Sequence, residues 1–145
     1  MIKKISFLTF FICLRVLTVS CATEFGRTVI HQPDEYRHVY EAKEKAILNA
    51  IARVIKEKDI GVNARVDYEN SFVDSDYKVT GDWRTKAQAR VQRLNWKENE
   101  VALSVVTERQ TKTGWEIRRL LQKEQYDNLF SEIDLRIYEE MSKIE

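Results

Sequence analysis

Apolar and polar positions divide this chain into distinct stretches. Lys3 and Lys4 precede a largely apolar run from Ile5 to Leu14, and Leu17-Thr18-Val19-Ser20-Cys21 follows before the chain turns polar. A basic start, a short apolar centre and small residues at a cleavage point are the build of an export signal, and the run is too short for a stable membrane span. From Cys21 to about Asp34 the pattern loses periodicity and includes Gly26 and the only proline, Pro33, so this stretch reads as a tether. Within it, Thr28-Val29-Ile30 has the β-branched character of a short edge strand.

Beyond the tether the period becomes helical. Tyr36, Val39, Tyr40, Ile47, Ala50, Ile51, Val54 and Ile55 recur at three- and four-residue steps, which predicts an amphipathic helix of about five turns, capped by Asp34 and ended by Gly61. The period then drops to two. Val62, Ala64, Val66 and Tyr68 mark one strand, and Val73, Tyr77 and Val79, closed by Gly81, mark a weaker second. Ala87, Ala89 and Val91 mark a third, and a change of phase at Leu94 and Trp96 predicts a bulge near Gln92 and Arg93. After a polar turn at Lys97-Glu98-Asn99, Val101, Leu103 and Val105 alternate in a strand that completes a hairpin, and Gly114 opens a turn into a last strand carrying Trp115 and Ile117. From about Leu121 the helical period returns through Tyr126, Phe130, Ile133, Ile137 and Met141, widened by Leu129 and Tyr138.

These elements predict an α+β fold: an antiparallel sheet of four to five strands, flanked by an N-terminal and a long C-terminal helix in a helix-grip-like arrangement. Both helices are expected on one face, with the other face polar. The organisation that follows is a signal over residues 1–20, a tether over 21–34 and one domain over 35–145.

Without residues 1–20 the chain holds 21 basic and 23 acidic residues, a formal charge of −2, which argues against nucleic acid as a partner. Cys13 leaves with the signal, so Cys21 alone cannot supply a disulfide, and stability must come from a packed core.

Reaction machinery is sparse. His31 and His38 are the only histidines and lie beside the tether, too few for a metal site or a nucleophile–histidine pair. Asp74, Asp76 and Asp82 cluster around the second strand, where a solvated edge is the simpler reading than an acid pair or a calcium loop. Gly26, Gly61, Gly81 and Gly114 are too scattered for a phosphate-binding loop. The chain therefore reads as non-catalytic and without a cofactor. The best candidate binding patch is Trp83, Arg84, Lys86, Arg90, Arg93 and Trp96, which joins cations to aromatic rings suited to an acidic or sugar partner. Its simpler rival is a solvated face with tryptophans closing the ends of the core. Ala102, Ser104 and Val106, beside Ala87 or Ala89, form a second candidate lined with small residues, where a one-residue slip of register would swap faces.

Leu17 to Cys21 resembles the bacterial lipoprotein signal, in which the cysteine sulfur receives a diacylglycerol and becomes the first mature residue. Ordinary secretory cleavage after Ala22 is the alternative. The resemblance implies a membrane partner through lipid on Cys21, and Ala22 implies delivery to the outer membrane, facing the periplasm. Arg84-Thr85-Lys86-Ala87-Gln88-Ala89-Arg90-Val91, Glu100 to Val106, Gly114-Trp115-Glu116 and Tyr126 to Phe130 with Ile133 and Ile137 are similar to the small periplasmic lipoproteins related to BamC. That likeness implies envelope proteins as partners and an accessory role in outer-membrane assembly. The alternative reading is a carrier or sensor for a lipid or glycan, with Trp83, Trp96, Trp115, Tyr68 and Tyr77 lining a groove between sheet and helix.

Overall fold

The computed structural model describes residues 26–143; the export signal and Cys21 lie outside the described residues. Seven strands form one antiparallel sheet: β1 (Tyr36–Tyr40), β2 (Val62–Asp67), β3 (Phe72–Asp76), β4 (Lys78–Thr80), β5 (Trp83–Arg93), β6 (Asn99–Thr111) and β7 (Gly114–Arg118). Their order is β1-β6-β5-β3-β2, with β4 beside the first residues of β5 and β7 beside the last residues of β6. Helices α1 (Glu44–Glu57) and α2 (Lys123–Ser142) complete the α+β fold expected from the periodicities.

Both helices pack on one face of the sheet. Ile47, Leu48, Ile51 and Ile55 of α1 and Tyr126, Phe130, Ile133 and Ile137 of α2 meet Val73, Ala87, Ala89, Val101 and Leu103 in a single core. Small Ala87 and Ala89 sit on the central strand and let the helices approach it. Each fully buried isoleucine or leucine contributes about 1.5–3 kcal/mol, so the core has no need of a crosslink. Across the helix pair, Arg53 reaches Glu139 at 2.6 Å and Arg136 reaches Glu57 at 2.8 Å. Such exposed pairs are worth little individually and chiefly set the alignment of the two helices.

Four expectations are corrected. Residues 36–40 form an edge strand and not the first turns of the helix: Tyr36, His38 and Tyr40 alternate inward opposite Leu103, Val101 and Asn99 of β6. Asp34 therefore caps no helix; it accepts two hydrogen bonds from Arg119, at 2.7 and 3.0 Å. Gly61 does not end α1, because Asp59 already turns the chain in the left-handed region (φ 58°) while Ile60 donates back to Ile55. The glycine instead permits close approach, since a Cβ there would lie 2.0 Å from Ser75 Oγ. Finally, β5 and β6 stay in register from Trp83↔Arg109 to Arg93↔Asn99 without a bulge. The phase change at Leu94 and Trp96 comes from the turn between the strands.

The sheet has seven strands where four to five were expected, because residues 36–40 add one and the second predicted strand is two. β3 buries Val73 and Ser75, and after the break at Tyr77 Val79 of β4 points to solvent. Ahead of the domain, the Thr28 to Ile30 segment runs along β7: Ile30 donates to Ile117 at 3.0 Å, and Arg119 donates to Thr28 at 2.9 Å. The stretch read as a tether is thus stitched to the sheet, with Thr28 to Ile30 lying along the edge as their β-branched character suggested. At Gly26 a φ of +76° and contact with Trp83 and Leu120 leave room for glycine alone.

Candidate functional site

Alternation along β5 separates the residues of the predicted patch. Odd positions face the helices, burying Ala87, Ala89 and Val91, while even positions face outward. Trp83 lies on the helix side at the start of β5, closed over by Gly26 and by the Arg109 guanidinium 5.5 Å from its ring. Arg93 lies at the far end of the same side and donates to the Asn95 carbonyl at 3.1 Å. Only Arg84, Lys86 and Arg90 share the outer face. Trp96 sits beyond the end of β5, roughly 30 Å from Trp83 along an extended strand.

Arg84 is committed to its neighbours. Its guanidinium lies 4.3 Å from the Tyr77 ring centre and 4.2 Å from that of Trp115, and it is ion-paired with Glu108. Lys86 lies 5.0 Å from the same tyrosine ring. Burial, reinforced by the Glu108 charge, pushes the Tyr77 hydroxyl above its ordinary range. This sandwich is a structural clamp on the outer face, with its cation already satisfied by a carboxylate and two rings. What remains open there is Lys86 and Arg90 with Gln88 and Gln92.

The small-residue candidate divides as well. Ala102, Ser104 and Val106 face outward opposite Arg90, Gln88 and Lys86, whereas Ala87 and Ala89 face the helices opposite Val105 and Leu103. Ser104 is buried and donates to the Asp34 carbonyl at 2.8 Å. The acidic cluster is held by cations and amides: Arg65 bridges Asp74 at 3.0 Å and Asp76 at 2.9 Å. Hydrogen bonds from Asn63, then Arg65, hold the Asp76 carboxyl below its usual range. Among the described residues no group of three or more His, Asp or Glu side chains converges as a metal site.

The feature that periodicity did not reveal lies along β1. A groove of about 580 Å³ runs between β1 and α2, with His38, Val39 and Tyr40 on one side and Phe130, Asp134, Ile137, Tyr138 and Met141 on the other. His38 stacks on Phe130 at 5.2 Å between ring centres, and Tyr40 donates to the Phe130 carbonyl at 2.7 Å, so the floor is fixed. Burial, with a smaller contribution from Asp134, raises the Tyr40 hydroxyl far above its ordinary value and keeps it a donor.

At the end of the groove the β5–β6 turn displays Trp96, 84% exposed. Asn95 braces that turn, accepting from the backbone of Lys97 and Glu98 at 2.9 Å each and donating to the Glu98 carboxylate at 2.6 Å. Trp96, Asn99, Glu41 and Met141 line a hollow of about 400 Å³. Asn99 donates to the Ala42 carbonyl at 2.8 Å, yet its buried Oδ1 has no hydrogen-bond partner among the described residues. Exposed Tyr138, Met141 and Trp96 thus line the groove and the hollow that continues it.

Among the described residues no helix is long and apolar enough to cross a membrane. No protein-family model matches the chain, and no curated protein matches it.

Proposed function

We propose that this chain is a lipid-anchored, non-catalytic domain of the bacterial envelope that binds other proteins, as an accessory to outer-membrane assembly. The observation that carries the binding reading is Trp96: a tryptophan held outward on a turn braced by three hydrogen bonds that one asparagine makes, two accepted and one donated, beside exposed Met141. Large aromatic side chains already fixed in position are the anchors on which protein interfaces concentrate their energy. The anchoring reading rests on Leu17 to Cys21. It is supported by the short connection to the domain, since four residues separate Cys21 from docked Gly26, a reach of at most about 18 Å. Two or three acyl chains would hold the domain at the bilayer, and the tether would raise its local concentration toward other envelope proteins.

A protein partner is favoured over a carried lipid or glycan because the five aromatic residues proposed to line a cavity do not converge. Tyr68 and Trp96 are exposed at separate ends of strands, Tyr77 and Trp115 clamp Arg84, and Trp83 closes the opposite end of the sheet.

Two measurements test the proposal. A fatty-acid probe fed to cells should label the wild type and fail to label Cys21→Ser, which should also leave the membrane fraction; an unmodified thiol in the processed wild-type chain overturns the anchor. Crosslinking in intact envelopes should yield a reproducible protein adduct that Trp96→Ala weakens. No adduct at all overturns protein binding.

A further inference from the structure

We propose that the free edge of β1 receives an extended, basic and apolar peptide segment of a protein partner as an eighth strand, with its side chains filling the groove against α2. This rests on the reading that the domain binds proteins, and it names the surface and the chemistry of the partner.

The direction of the backbone groups comes from β6. Val105 donates its N–H to the Tyr126 hydroxyl at 2.9 Å, away from β5. Odd-numbered residues of β6 therefore turn their peptide groups toward β1, where Tyr36, His38 and Tyr40 answer Leu103, Val101 and Asn99. By the same alternation, Arg37 and Val39 turn their N–H and C=O groups out of the sheet. An unpaired row of this kind is a template for one more strand.

The other edges differ. β7 is covered by the Thr28 to Ile30 segment. β2 has a register shift between Val62 and Arg65 and is crowded by the ion pairs of Arg65. β4 spans three residues, of which only Val79 turns outward. β2 borders a hollow of its own against α1, but Arg53 and Lys56 line it. β1 alone of the four edges combines outward peptide groups with a groove lined by carboxylates and by no lysine or arginine.

Charge selects the occupant. Glu41, Asp127 and Asp134 line the groove, and no lysine or arginine does. Lys97 pairs with Glu41 and Lys123 with Asp127 from outside, whereas Asp134 has no ion pair among the described residues. A second copy of this chain across the edge would bring six carboxylates together, while a basic and apolar segment would answer Asp134 and cover Tyr138 and Met141. The groove and the Trp96 hollow share Glu41, Ala42 and Met141, so such a segment runs on toward the unpartnered Asn99 Oδ1, which accepts a donor.

The test uses the full chain in detergent and two synthetic extended peptides, one alternating valine and lysine, the other valine and glutamate. The lysine peptide should bind and slow amide exchange at Arg37 and Val39, and the glutamate peptide should bind about tenfold more weakly or worse. Asp134→Asn should weaken the lysine peptide about two- to fivefold. Val39→Pro, which removes an outward N–H, should abolish protection with little change in melting; Val39→Lys provides the same test without altering the backbone. Equal binding of both peptides, protection at β2 or β7, or a dimer of the chain that Val39→Lys dissolves would each overturn the assignment. An envelope crosslink lost in Trp96→Ala but kept in both Val39 variants overturns the β1 edge and leaves protein binding standing; no crosslink in any of them overturns protein binding itself.

Discussion

β6 offers the same kind of edge to two neighbours and the protein treats them differently. Along residues 107–111 it is flanked by β7, and β7 is in turn sealed by the Thr28 to Ile30 segment through two backbone hydrogen bonds of 2.9 and 3.0 Å. Along residues 99–103 it is flanked by β1, and there the sheet stops, with Val39 exposed and a groove beneath. Both halves belong to one strand and share one core. Edge protection is therefore decided locally, by which chain segment happens to lie beyond the last strand. An edge left open next to a groove and a displayed tryptophan is where an interaction surface is expected.

The contrast can be broken from either side. Replacing Ile133, which seats α2 under the core beside the β1 half, by alanine should cost about 2–5 kcal/mol in denaturant titrations and speed amide exchange in β1 more than in β7. Tyr126→Phe removes the acceptor of the Val105 N–H at the junction of the two halves and should cost about 1–3 kcal/mol. Burial pushes the Tyr126 hydroxyl up to about 12, against about 10 in an unfolded chain. A raised acid favours the protonated native state, so this contribution is complete below pH about 10 and is lost as pH rises through about 12; the alkaline slope of stability should flatten in Tyr126→Phe. Ile30→Pro deletes the donor to the Ile117 carbonyl, which should cost about 0.5–1.5 kcal/mol and leave β7 as open as β1, visible as faster exchange of the Arg119 amide. Smallest of all, Val39→Lys should change stability by less than about 0.5 kcal/mol while removing peptide binding at the edge.

Much of the fold was legible because burial imposes a period. The stripe from Ile47 to Ile55, the α2 stripe from Tyr126 to Ile137 and the Ala87, Ala89, Val91 alternation all face the core as read. β1 misled because Tyr36, Val39 and Tyr40 stand at helical spacing just before a true helix, and Glu41-Ala42-Lys43 breaks the chain without glycine or proline. Trp96 misled for a different reason: an apolar residue in a turn mimics a change of phase, although Asn95 beside it carries the turn signal. Within the candidate patch, the shared face of Lys86 and Arg90 could be read from a period of two, and by the same rule Trp83 and Arg93 belonged to the opposite one. The β1 groove had no such signal. Which strand lies at the edge is set by pairing between residues 59 to 67 positions apart, and no local pattern encodes it.

The Tyr126 hydroxyl spans the gap where β1 ends and β7 begins, and its ring packs against Tyr36 at 4.3 Å. One side chain thereby sets the spacing between the long helix and the rim of the sheet. If α2 drifted outward, a peptide nitrogen would lose its acceptor and two packed rings would part, so these contacts oppose widening of the slot beside β1. A visiting strand would meet a keyway already cut to gauge, and selection among visitors would fall to their side chains.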